Sequence, residues 1–109
     1  MKAFDIITVN PEDIETFIIQ IHHGYDKHDI FEASEPFNIK DHYHKDVESR
    51  LFLEGEAVFT IEGVEVCCSP GTYLEIGANA VHSFQYDGGK PLKVMRFFSE
   101  NEDWQATFI

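Results

Sequence analysis

Between Asp41 and Gly55 the chain spaces its chemistry as His42-x-His44-x3-Glu48-x6-Gly55, with Arg50 two residues past the glutamate. The run lies in an alternating pattern typical of strands, where residues two apart point to one face. His42 and His44 therefore project together, and Glu48 and Arg50 pair off in the same way on the next run. Imidazole nitrogens and a carboxylate brought to one place are ligands for a divalent transition metal. A third imidazole has to come from elsewhere, and His82, opening a later strand after Gly77-Ala78-Asn79-Ala80, is the candidate. Such a mixed set suits octahedral Fe(II), Ni(II), Mn(II), Co(II) or Zn(II) and leaves coordination positions open, as a catalytic site does. A closed structural zinc site more often uses thiolates.

Arg50 shares the interior with Glu48, and a buried guanidinium needs an anion. Glu48 itself or a chelated anionic substrate would serve. Arg96 raises the same question, with Val94 and Phe98 on its face and Met95 and Phe97 on the other. Phe84, two residues after His82, is expected to wall the pocket, together with Phe52 and Trp104. Plain core packing is the competing role for such rings.

Short strands and tight turns must position these residues. Phe4–Val9 is a β-prone run, and Asn10-Pro11 with Asp13 then reads as a helix start. Ile14, Phe17, Ile18 and Ile21 form one apolar stripe, and Gly24 is a natural stop, so a single helix is expected over 11–23. His22, His23 and His28 near its end need no role beyond the helix dipole. From residue 29 onward, runs at 29–33, 37–44, 49–53, 57–61, 64–68, 72–76, 81–86 and 92–98 are separated by Gly, Pro and Asn. In the second of these, Phe37, Ile39, Asp41 and Tyr43 take one face and Asn38, Lys40, His42 and His44 the other. The expected fold is mainly β, a sandwich or small barrel with one N-terminal helix.

Composition narrows the functions. The length of 109 residues suits one domain, expected to span 1–109. Ten Phe and four Tyr suit a sheet core or an aromatic-lined cavity. Eight basic against twenty acidic residues give a charge of −12, which repels phosphate backbones and anionic membranes, so neither nucleic acid nor membrane is an expected partner. No apolar run is long enough to span a bilayer, and Met1-Lys2-Ala3-Phe4-Asp5 lacks the layout of a secretory signal; a cytoplasmic location is expected. Cys67 and Cys68 are adjacent, read as two reduced thiols on opposite faces of a strand. An exposed sheet edge would let two copies pair as a homodimer.

The spacing His42-x-His44-x3-Glu48-x6-Gly55, followed by Gly71-x10-His82, resembles the two motifs of the cupins. Within them the chain is most similar to the acireductone dioxygenase family, through Glu48-Ser49-Arg50, Leu53-Glu54-Gly55, His82-Ser83-Phe84, Met95-Arg96-Phe97-Phe98, Trp104 and a Tyr25-to-Asp29 lead-in. The likeness covers about residues 25 to 108. It implies a double-stranded β-helix, or jelly-roll barrel, with one Fe(II) or Ni(II) held by His42, His44, Glu48 and His82. Arg50 and Arg96 would face the active site, Arg50 stabilising the substrate anion. The substrates would be dioxygen and the acireductone of methionine salvage, an ene-diol cleaved to products that differ between the two metals. The chain departs from the family in a short N-terminal region, in Gly77 and Asn79 within the second motif, and in an insert reduced to the Glu62-Gly63 turn. Another small metal-binding cupin, a different dioxygenase or isomerase, or a non-catalytic metabolite binder, is the alternative.

Overall fold

Alternation in the sequence and glycine at the turns produce a series of short strands. The computed structural model describes residues 3–22, 27–98 and 106–109. Gly24, His23, Tyr25 and Trp104 lie outside these, as does the acidic stretch 99–103. Strand β1 (Phe4–Thr8) leads through a 3-10 turn (Pro11–Asp13) into α1 (Ile14–His22). Then follow β2 (Lys27–Ala33), β3 (Phe37–Tyr43), β4 (Glu48–Glu54), β5 (Ala57–Ile61) and β6 (Val64–Cys68). The series ends with β7 (Thr72–Ile76), β8 (His82–Tyr86), β9 (Leu92–Phe98) and β10 (Thr107–Phe108).

The strands form two sheets, β1-β7-β4-β9-β2 and β10-β3-β8-β5-β6. The chain crosses repeatedly between them, and every neighbouring pair is antiparallel. This is the expected jelly roll. The inner faces meet in a core of Phe52, Leu74, Ile76, Leu92 and Val94 from one sheet and Phe59, Ile61, Val66, Phe84 and Tyr86 from the other. Burying each such aliphatic or aromatic side chain contributes about 1.5–3 kcal/mol. A second cluster lies on the outer face of the first sheet. There Leu51, Tyr73, Met95 and Phe97 receive the stripe Ile14, Phe17, Ile18 and Ile21 of α1. Phe17 meets Tyr73 edge-on, with centroids 4.9 Å apart. Among the described residues no helix is long and apolar enough to cross a membrane.

The helix start differs from the expected capping. The Asn10 side chain makes no capping bond. Its backbone carbonyl instead accepts from the Asp13 N–H at 2.9 Å. Pro11 begins a tighter 3-10 turn, which draws that N–H onto the carbonyl before the α-helix starts at Ile14. Strand β2 begins at Lys27 rather than Asp29, and β10 was not anticipated. Cys67 and Cys68 are free, one exposed and one buried. Burial, with Cys67 adding to it, pushes the Cys68 thiol up to about 12, so it stays protonated.

Gly71 joins three segments. Its N–H donates to the Phe52 carbonyl at 2.9 Å, and its carbonyl accepts from the Val9 N–H at 2.7 Å. Its φ is +94°, and a Cβ there would stand 2.5 Å from the Val9 carbonyl oxygen. Gly71→Ala is expected to lose about 3 kcal/mol in urea unfolding. About 1–2 kcal/mol comes from the left-handed backbone and the rest from displacing the β1–α1 junction. A loss below about 1 kcal/mol would show that this junction yields freely.

Candidate metal centre

Strict alternation would have put His42 with Asn38 and Lys40, away from Phe37 and Ile39. The structure corrects this. In the β3–β8 pair Ile39 faces Phe84, but the next registered pair is His42 with His82, so β3 carries an extra residue and the register shifts. Such a bulge re-aims the side chains beyond it. His42 is buried, and Phe37 and Ile39 are partly buried against the same core, while Asn38, Lys40 and Asp41 are exposed.

The bulge also supplies the ring with a partner. His42 Nδ1 lies 2.7 Å from the Lys40 carbonyl, and His82 Nδ1 lies 2.8 Å from the Ala80 carbonyl. In both, the nitrogen next to a carbonyl must be the N–H donor, which leaves Nε2 with a lone pair. His44 stands just past β3, and its carbonyl accepts from the Asn79 N–H at 2.7 Å. Asn79 takes φ +63°, in the left-handed region that Asn tolerates. The loop before β8 is thereby tied to the segment after β3, and His44 is brought beside His82.

His42, His44 and His82 form a three-histidine metal-binding site, their ligand atoms within 4.8 Å of one another. Glu48, at the start of β4, reaches it from the opposite sheet. Its Oε1 lies 2.9 Å from His44 Nε2 and its Oε2 lies 2.9 Å from His82 Nε2. All four side chains are buried. Glu48 Oε2 and His82 Nε2 both lack a hydrogen-bond partner. With Nδ1 donating to Ala80, the two atoms face each other as lone pairs, an arrangement that a cation between them would satisfy. The donor set, imidazole nitrogen with one carboxylate, thus fits a divalent transition metal.

Electrostatics point the same way. Burial lowers the pKa of His42 more than the Lys40 carbonyl raises it, and the nearness of the His82 and His44 rings lowers it further. The ring is thereby kept in its neutral, ligating form. Burial pushes the Glu48 carboxyl up. The adjacent His44 ring and the Arg50 charge outweigh it and hold the group well below the usual carboxylate range. Arg50 donates from Nη2 to Glu48 Oε1 at 3.0 Å. Burial pulls its guanidinium pKa down, and Glu48 opposes that pull.

Arg50 lies among rings. Its guanidinium carbon is 5.7 Å from the Phe59 centroid and 5.9 Å from the Phe84 centroid. Phe59 and Phe84 stack at 4.0 Å and 7°. Phe52 meets both edge-on from the facing sheet, and Phe59 also stands 6.0 Å from the His82 ring. Phe59 was not singled out in the sequence, although the inward series Ala57, Phe59, Ile61 was there to read. Arg96 is the strand partner of Arg50. Asp29, its other strand partner, grips it through two bonds, Nε to Oδ1 at 2.6 Å and Nη2 to Oδ2. Arg96 is 30% exposed, so it sits nearer the rim than Arg50. A cleft of about 460 Å³ lined by Ala57, Cys67, Ser69 and Tyr86 opens at the far end of β5 and β8 from His82. Among the described residues the three-histidine cluster is the one metal-ligating group, and it lies away from that cleft.

The sequence matches the ARD/ARD' family over residues 6–106. The chain belongs to that family. Among its relatives, an acireductone dioxygenase from Leishmania infantum is 26% identical over 96% of this chain and 28% of its own length. One from Bacillus thuringiensis (strain Al Hakam) is 28% identical over 79% of this chain and 59% of its own. The chain therefore spans between about a quarter and three fifths of these ARD/ARD' relatives. In fold it is similar to an acireductone dioxygenase from Bacillus anthracis with a cadmium ion in its active centre. The TM-score is 0.68 at 22% identity, over 87% of this chain and 64% of that one. A cupin 2 domain-containing protein from Halorhodospira halophila aligns with a TM-score of 0.66 at 16% identity, over 74% of this chain and 56% of that one. The jelly roll is thus of the cupin type.

Proposed function

We propose that the chain is a metal-dependent dioxygenase that cleaves an acireductone, an ene-diol, with dioxygen, in methionine salvage and in the cytoplasm. The observation that carries the reading is the convergence of His42, His44, His82 and Glu48 in a buried site beside the Arg50 cation. Family membership supports it. His42, His44, Glu48 and His82 would hold one divalent ion, Fe(II) or Ni(II). When bound, the ion supplies Lewis acidity and a route for dioxygen chemistry.

The rest falls to the chain. Arg50, desolvated among Phe59 and Phe84, places a fixed positive charge where an anionic ene-diolate would bind, and in a low-dielectric site that charge acts strongly. Phe52, Phe59 and Phe84 exclude water from the same space. The Nδ1 bonds of His42 and His82 hold each ring with Nε2 turned to the centre. Arg96, held by Asp29, would add a second cation toward the rim, and Trp104 would contact substrate.

The test is direct. Metal-loaded protein is mixed anaerobically with acireductone, oxygen is admitted, and loss of the substrate's ultraviolet absorbance is followed. Acceleration with Fe(II) or Ni(II) over the metal-free control is expected, and none with either metal overturns the reading. The tight Glu62-Gly63 hairpin, with φ +47° and +81°, favours a second reading. Without a longer insert there, a different chelating diol or diketone would be the substrate, and the same assay with such compounds separates the two.

A further inference from the structure

We propose that Phe108 is a positioning residue for the metal site, fixing the orientation of the His42 imidazole. The inference rests on the reading of His42 as a metal ligand and adds a residue to it. Strand β3 loses its regular register with β8 between Ile39 and His42. A bulge leaves the strand beyond it less constrained by its partner. Strand β10 lies on the other edge of β3 and pairs with just those residues: Thr107 with Tyr43 and Phe108 with His42. The Ile109 N–H adds a bond to the Asp41 carbonyl at 3.2 Å.

At this place Phe108 sets its ring against the His42 ring, with centroids 5.2 Å apart and planes at 40°. Burial does not account for the phenylalanine, since it remains 60% exposed. What the contact does is restrict the imidazole. The bond from Nδ1 to the Lys40 carbonyl fixes one edge of the His42 ring, the His82 and His44 rings pack against it at 4.3 and 5.1 Å, and Phe108 supplies the ring contact from the β10 side. His82 sits on β8 between β3 and β5, whereas β3 has only the two-residue β10 on its outer edge. The direction of the Nε2 lone pair follows the ring, and groups that orient a ligating histidine change metal affinity by about 10–100-fold.

The experiment uses the full chain loaded with Co(II). Release of Co(II) to excess strong chelator and the visible ligand-field absorption of the bound ion are both measured, for the parent and for Phe108→Ala, Phe108→Leu and Phe108→Tyr. Phe108→Ala and Phe108→Leu are expected to release the metal about tenfold faster, with a changed absorption envelope. Phe108→Tyr, which keeps the ring, is expected to match the parent. Parental release and spectrum in Phe108→Ala overturn the proposal. Parental behaviour in Phe108→Leu overturns the role of the ring, because any apolar cover would then suffice. A fall in the metal-free melting temperature that accounts for the faster release also overturns it, by making the residue merely structural. A parent that takes up no Co(II) refutes the ligand reading itself, a result distinct from these.

Discussion

Replacing Glu48 by glutamine is expected to empty the metal site and destabilise the metal-free fold by about 3 kcal/mol. The carboxylate is 2% exposed and faces His44, His82 and Arg50 at once. Glutamine preserves its shape, and its amide can donate to one imidazole, but it offers Arg50 no charge. Removing one partner of a buried ion pair costs about 3–5 kcal/mol. The glutamine carbonyl can still accept from Arg50 Nη2, which keeps the loss near the lower end, although the Arg96 charge opposes Arg50 more than Asp29 supports it. The measurement is urea unfolding of metal-free parent and variant, with metal content by elemental analysis. The pH dependence follows in sign. The folded pKa of Glu48 is depressed, so its contribution is present above the unfolded carboxylate value of about 4.3 and is lost as pH falls below it. The gap between parent and Glu48→Gln should therefore be widest at neutral pH and narrow in acid. A gap that stays constant down to strongly acid pH would show that the carboxylate's charge is not what the fold uses.

Arg50→Met is expected to leave metal binding intact and lower kcat/KM on the ene-diol by about 10²–10³-fold, the loss typical when a fixed group that stabilises developing negative charge is removed. Methionine keeps the length of the side chain between Phe59 and Phe84, and the bound metal still compensates Glu48, so the folded site survives. Arg50→Lys should recover only part of the rate, because an ammonium lacks the planar fork that meets both a carboxylate and a second oxyanion. A kcat/KM within threefold of the parent would remove Arg50 from the substrate's surroundings.

Much of the barrel could be read from the chain because its strands obey two local rules together. The runs at 57–61, 64–68, 72–76 and 92–98 match β5, β6, β7 and β9, each bounded by a glycine or proline turn and each alternating in burial where it faces one core. The grouping of His42 with His44 in the sequence was legible for the same reason. The face they occupy was not, since a period of two has no place for the residue inserted between Ile39 and His42. Strand β10 escaped because two residues carry no period, and pairing with β3 alone defines it. The grip of Asp29 on Arg96 links residues far apart in sequence, and only the β2–β9 pairing brings them together. Pairwise geometry of this kind belongs to topology, which local pattern does not encode.

The order of the strands also governs when the site can exist during folding. His42 and His44 come from β3 and its end and His82 from β8, whereas Glu48 begins β4 in the other sheet, beside β7 and β9. Each of these pairings closes a long loop, and chains dominated by such non-local contacts fold in about milliseconds to seconds rather than microseconds. The four side chains come together only when both sheets have formed and closed on each other. An ion therefore cannot serve as an early template for the barrel. It enters a nearly finished protein, and its effect falls on the rate of unfolding far more than on the rate of folding.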